Sequence, residues 1–139
     1  MFDILSLYQQ LPHGVPYRCV REIVSVAGKC NHFLAKLNFE SCSPFLRGIN
    51  IPAAVIVEAC AQVGALVEVS RTDINQCMDG LVVKTDKLEV ERDYFKLTEK
   101  AELDCFIDVM PNRGFQVEAQ LFADMKLIAK TTTLVMYFQ

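Results

Sequence analysis

Glu58 and Gln62 stand four residues apart within a stretch, Pro52 to Arg71, whose other members are almost all apolar or small. On a helix, residues four apart share a face, so carboxyl and amide become stacked neighbours. A carboxyl set among Val55, Ile56, Ala59 and Val63 is expensive to bury and should keep its proton to higher pH than in water. Groups of this kind concentrate at functional sites, where a tuned carboxyl can act as acid or base. His13 and His32 are the chain's two imidazoles. Six cysteines (Cys19, Cys30, Cys42, Cys60, Cys77 and Cys105) are scattered without a C-x-x-C or a Cys/His spacing, so they read as reduced, buried small hydrophobes rather than metal ligands. Blander roles for Glu58 stay open: a structural pair with an arginine, or the lining of a polar crevice between subunits. A membrane span is disfavoured by Glu58 and Gln62 near the middle of the stretch.

The elements that must position these groups can be read from punctuation and period. Pro52 suits the first turn of a helix and Asn50 its cap, which predicts one long buried helix over about 52–71. Small residues along it (Ala59, Ala61, Gly64, Ala65) allow close approach of other backbone. Upstream, residues 2–10 suit a short helical turn, and Leu11 to Pro16 a proline-fixed loop. Tyr17 to Val26 and Cys30 to Phe39 read as extended runs around the turn at Gly28, with His32 inside the second. Downstream, Thr72 to Asp79 is a polar connection and Gly80 to Val90 a strand. Ala101 to Val109 alternates strictly, Pro111–Gly114 is a hairpin turn, Phe115 to Leu121 alternates again, and a second turn at Ala123–Lys126 leads into Leu127 to Phe138. The sum is α+β: an antiparallel sheet of five to six strands wrapped around one central helix, in a single domain spanning 1–139.

A 139-residue chain with 52% hydrophobic residues can bury a core and still hold apolar surface for an oligomer interface. Its net charge of −3, with no run of Lys or Arg, leaves no footprint for nucleic acid. The opening Met1-Phe2-Asp3 lacks the basic and apolar regions of a signal peptide, so a cytoplasmic location and no membrane association are expected.

Three segments in collinear order resemble the 3-hydroxyacyl-acyl-carrier-protein dehydratases of fatty-acid synthesis. Leu11-Pro12-His13-Gly14-Val15-Pro16, followed by Val20-Arg21-Glu22-Ile23 and Gly28-Lys29, is similar to that family's L-P-H-x-x-P opening and first strand. Ser43-Pro44-Phe45-Leu46-Arg47-Gly48 resembles its P-F-F-x-G, and Glu58-Ala59-Cys60-Ala61-Gln62 its helix motif E-A-x-A-Q. The resemblance implies the hotdog fold, no cofactor beyond the phosphopantetheine arm of an acyl carrier protein, and a tunnel at a dimer interface. There a histidine of one chain serves as base and acid, while a helix carboxylate of the other holds the departing hydroxyl. Glu58 takes the carboxylate position. Gln62, Gly48, Asn50, Phe45 and Ile51 become candidate substrate contacts, with Phe33 and Val55 as further apolar liners. Arg18, Arg47, Lys84, Lys87 and Arg92 are candidates for docking the acidic carrier protein.

One departure matters most. The family's histidine follows the matching glycine, in G-H-F-P-G, whereas Gly48 is followed here by Ile49-Asn50-Ile51-Pro52. The chain then either supplies only the carboxylate half of a composite site completed by a histidine-bearing hotdog subunit, as in small dehydratase-like proteins of polyene-type pathways, or uses His13 instead. It could also be a hotdog thioesterase, with Glu58 activating water, or a subunit that binds acyl chains without chemistry. Homodimer and heterodimer both stay open.

Overall fold

The computed structural model describes residues 2–11, 17–28, 31–71 and 80–137. Its organising element is helix α2, Val55–Arg71. Before it come the short helix α1, Ile4–Tyr8, and strands β1, Val20–Ser25, β2, His32–Leu37, and β3, Asn50–Pro52. After it come β4, Gly80–Val90, β5, Tyr94–Lys96, β6, Ala101–Met110, β7, Gly114–Ala123, and β8, Lys126–Tyr137. Six strands form one antiparallel sheet in the order β1-β2-β6-β7-β8-β4, and β3 pairs with β5. This is the α+β, sheet-around-a-helix arrangement that the residue pattern predicts.

The alternation read in β6 and β7 maps onto the two sheet faces. Leu103, Cys105, Ile107, Phe115, Val117 and Leu121 are buried toward the helix, while Phe106, Glu118 and Gln120 face outward. Ile23, Phe33, Ala35, Ala129 and Val135 extend the same inner face across the neighbouring strands. Ile56, Ala59, Cys60, Val63, Leu66 and Val67 of α2 fill it from the other side. At Gly64 the helix lies so close to β7 that a Cβ would stand 2.1 Å from Cε2 of Phe115. Both hairpins adopt the expected turns. Asp124 and Met125 take positive φ (46° and 66°), as a two-residue turn of matching twist requires.

One expectation is corrected. Pro52 does not open the helix and Asn50 does not cap it: Asn50–Pro52 is strand β3, paired through Ile51 with Phe95, and α2 starts three residues after Pro52. The partner strand β5 lies more than forty residues downstream of β3 and carried no alternation long enough to be read. Cys19, Cys42, Cys60 and Cys105 are buried free thiols. Burial holds all four above the usual thiol range, Cys105 at about 12. His13, Cys30, Cys77, Thr72 to Asp79 and Phe138 lie outside the described residues.

Candidate functional site

Glu58 sits in the first turn of α2, half-buried, and Gln62 one turn further on is fully buried. Gln62 Nε2 donates to Glu58 Oε1 at 2.9 Å and to the carbonyl of Tyr17. Its Oε1 accepts from the Tyr8 hydroxyl at 2.6 Å, from the Cys19 backbone N–H at 3.1 Å and from the Cys19 thiol at 3.4 Å. Both amide protons are thus engaged within the chain. Gln62, expected as a substrate contact, instead ties α1 and the segment 17–20 to α2 and gives Glu58 a donor.

The side chains around the helix start form a partly apolar wall. Tyr17 packs edge-on against Phe45, Phe45 against Phe39, and Phe39 against Phe95, with ring centroids 5.9–6.2 Å apart. Ile51 and Val55 are buried in the core beside this cluster. Gly48 and Asn50 belong to a tight turn in which Arg47 and Asn50 exchange backbone hydrogen bonds of 2.8 and 3.1 Å, and Gly48 takes φ +66°, a conformation glycine adopts without strain. Phe33 is placed elsewhere. The Arg71 guanidinium lies 5.2 Å over its ring at the far end of α2, about 20 Å from Glu58 at 1.5 Å of rise per residue, so Phe33 is core and not a liner of this site.

His32 opens β2 on the outward face of the sheet. It pairs through Nε2 with Asp104 and stacks on Phe106 with ring centroids 4.2 Å apart. The sheet therefore stands between His32 and the helix. A cavity of about 400 Å³ lies on the outer sheet face and another of about 800 Å³ between α1 and β1; Glu58 lines neither of these two.

The five basic residues proposed for docking do not converge. Arg92 forms a two-pronged bridge to Glu99 at 2.8 and 3.1 Å, and Lys84 pairs with Asp86 at 3.3 Å on β4. Lys87, at positive φ, stands in a break of the β4–β8 register. Arg18 lies over the Tyr8 ring at 5.2 Å, and exposed Arg47 sits in the turn before β3, so these two belong to the segments around the start of α2. Glu68, which the sequence reading passed over, is 4% exposed, and burial raises its carboxyl to about 7. The signal was present in the pattern, as a second acid within the same apolar stretch. Among the described residues no group of three His, Cys, Asp or Glu side chains is placed to hold a metal ion, and no helix is long and apolar enough to cross a membrane.

No family model matches the sequence, and no curated protein matches it. Solved structures do resemble the fold. The dehydratase heterocomplex ApeI:P from Xenorhabdus doucetiae superposes with a TM-score of 0.80 at 13% identity, covering 96% of this chain and 91% of that one. An HP0420 homologue from Helicobacter felis gives 0.61 at 12% identity over 96% and 90% of the two chains. A hypothetical thioesterase protein with coenzyme A from Streptococcus pneumoniae TIGR4 gives 0.57 at 14% identity over 84% of each. At these identities the likeness establishes architecture: the chain has the hotdog fold.

Proposed function

We propose that this chain is a 3-hydroxyacyl-carrier-protein dehydratase-like subunit that supplies the helix carboxylate of a dehydration site, completed by a histidine-bearing hotdog partner. The observation that carries this reading is the hydrogen bond from Gln62 Nε2 to Glu58 Oε1, in which a buried, fully engaged amide aims one proton at a half-buried acid. Dehydration of a 3-hydroxyacyl thioester removes a C2 proton, forms the C2–C3 double bond and expels the C3 hydroxyl as water. Glu58 holds the departing hydroxyl, and an imidazole takes the C2 proton and returns it to the leaving oxygen. His32 is held by Asp104 across the sheet, so that imidazole comes from a partner or from His13.

A further feature favours the composite form. Strand β4 ends the sheet and carries Leu88 and Val90 at 40% and 42% exposure, an edge suited to a partner. The heterocomplex among the structural neighbours supports oligomerisation of this kind. The substrate rides on the phosphopantetheine arm of an acyl carrier protein, so no other cofactor is needed, and an acidic carrier would meet Arg18 and Arg47 near the site.

The test is Glu58→Gln in the complex purified from its native source, assayed for conversion of 3-hydroxybutyryl carrier protein to the enoyl product. Gln62 keeps an acceptor in this variant, so folding and co-purification of the partner are expected unchanged while turnover falls by at least a hundredfold. Unchanged turnover refutes the reading. Release of free thiol from acyl thioesters, lost in Glu58→Gln, would assign a thioesterase instead.

A further inference from the structure

The proton directions at Gln62 Oε1 and at the Tyr8 oxygen are determined by backbone groups that can only donate. The Val20 N–H donates to the Tyr8 phenol oxygen at 2.9 Å, so the phenol proton points onward to Gln62 Oε1. The Cys19 N–H donates to the same Oε1. With two such donors on its oxygen the amide cannot flip, and Nε2 must face the Tyr17 carbonyl and Glu58. Tyr8 is 2% exposed, and burial, with Cys19 beside it, pushes its phenol far above the ordinary range, so it remains a donor throughout the physiological pH span. The other titratable or charged groups that act on this cluster include Arg18 over the Tyr8 ring, Arg21 beside Cys42, and the buried thiols Cys19, Cys42 and Cys60. Burial holds the thiols neutral, so the charges beside the cluster are carried by the arginines and by Glu58 itself.

We propose that Tyr8, on a five-residue helix 54 positions from Gln62 in the chain, is a positioning residue for Glu58: its hydroxyl locks the Gln62 amide in the one orientation that presents an N–H to the carboxylate. The proposal rests on Glu58 being the carboxylate of the reaction, and it extends the site to α1. Tyr8 touches no substrate. Its influence passes through the amide and is felt as the orientation of Glu58 Oε1.

The experiment combines Tyr8→Phe, Glu58→Gln and replacement of Tyr8 by 3-fluorotyrosine in the complex, read by the side-chain amide NMR signal of Gln62 and by steady-state kinetics with 3-hydroxybutyryl carrier protein. Glu58→Gln identifies the amide proton that faces the acid. In Tyr8→Phe the same proton is expected to shift and lose its protection from exchange, with kcat down about tenfold and KM within twofold, the loss expected for one hydrogen bond of about 1.4 kcal/mol. The fluorinated phenol keeps the shape and strengthens the donor, so it should restore kcat and move the amide signal the opposite way. Should Tyr8→Phe fail to fold, the sign of that fluorotyrosine shift decides alone. An amide signal unmoved by either change at position 8, or full kcat in folded Tyr8→Phe while Glu58→Gln is inactive, overturns the proposal. Turnover that survives Glu58→Gln overturns the dehydration reading instead, whatever the amide signal does.

Discussion

Replacing Gln62 by leucine separates the structural load on this residue from any chemistry near it. Leucine has similar length and no polar atoms, so the Cys19 N–H and the Tyr8 hydroxyl lose their acceptor while both residues stay buried, at 0% and 2% exposure. Each orphaned group costs about 1–3 kcal/mol, together about 4 at the middle of the range. Burial of the leucine side chain returns about 2 kcal/mol, which leaves a net loss of roughly 2. Against a domain stability of about 5–15 kcal/mol the protein should still fold. With a urea slope of about 1.5 kcal/mol per molar, the unfolding midpoint should fall by about 1.3 M at fixed protomer concentration. Glu58→Gln, which leaves an acceptor for Nε2, should move it by less than a third of that. Hydrogen exchange at the Val20 amide supplies a local check, because its acceptor is the Tyr8 phenol. A Gln62→Leu midpoint within 0.3 M of the parent, with Val20 still protected, would refute the claim that this amide fastens α1 and the segment 17–20 to α2.

Two further outcomes follow from packing and charge. Gly64→Ala gains about 1 kcal/mol of helix propensity but drives a methyl into the ring of Phe115, which is fully buried and backed by Tyr137 at 6.1 Å. Overpacking of about 1–3 kcal/mol wins, so a melting scan should drop by about 4 °C, and a rise would show that the helix can move off β7. Glu68 has a folded-state carboxyl raised to about 7, so the folded form binds the extra proton between pH 4.5 and 7. Stability is then greatest below pH 4.5 on this account and is lost as pH rises toward 7. Glu68→Gln should remove that slope and add about 1–2 kcal/mol at pH 8, measured by urea unfolding across pH. Parallel pH profiles for the two proteins would count against burial as the cause.

The composite reading gives the absent histidine a structural context. His32 spends one nitrogen on Asp104 and its ring face on Phe106, both on the outward side of β6, so no rearrangement within the sheet brings it to α2. His13 belongs to the segment that leads to Tyr17, whose carbonyl reaches Gln62. On the proposed dehydration reading, a partner histidine and His13 are the two sources to separate by assay of the chain alone against the complex.

Much of the architecture was legible along the chain because the governing signals are local. Alternation in residues 101–109 and 115–121 assigned each side chain to a sheet face, including outward Phe106, since a strand's period of two admits only that division. Glycine and proline marked the turns, and the run of small and aliphatic residues over about 52–71 marked a helix buried on most sides, observed as Val55–Arg71. The helix start was misplaced because Pro52 and Asn50 suit a first turn and a cap equally well as they suit a short strand, and the deciding partner, Tyr94–Lys96, is distant in sequence.

The site was legible only in its types and spacing. Four residues between an acid and an amide set them on one helical face, and the motif around them suggested thioester chemistry. What the amide does was decided by Tyr8 and Cys19, which are 54 and 43 positions away and reach Gln62 only because α1 and the entry to β1 cross the helix. A side chain's hydrogen-bond partners are fixed by where the backbone returns in space, and periodicity, which compares near neighbours, carries no record of that path. The sequence alone thus determined that an acid would enter an apolar helix inside a curled sheet; the tertiary structure decided how that acid is held.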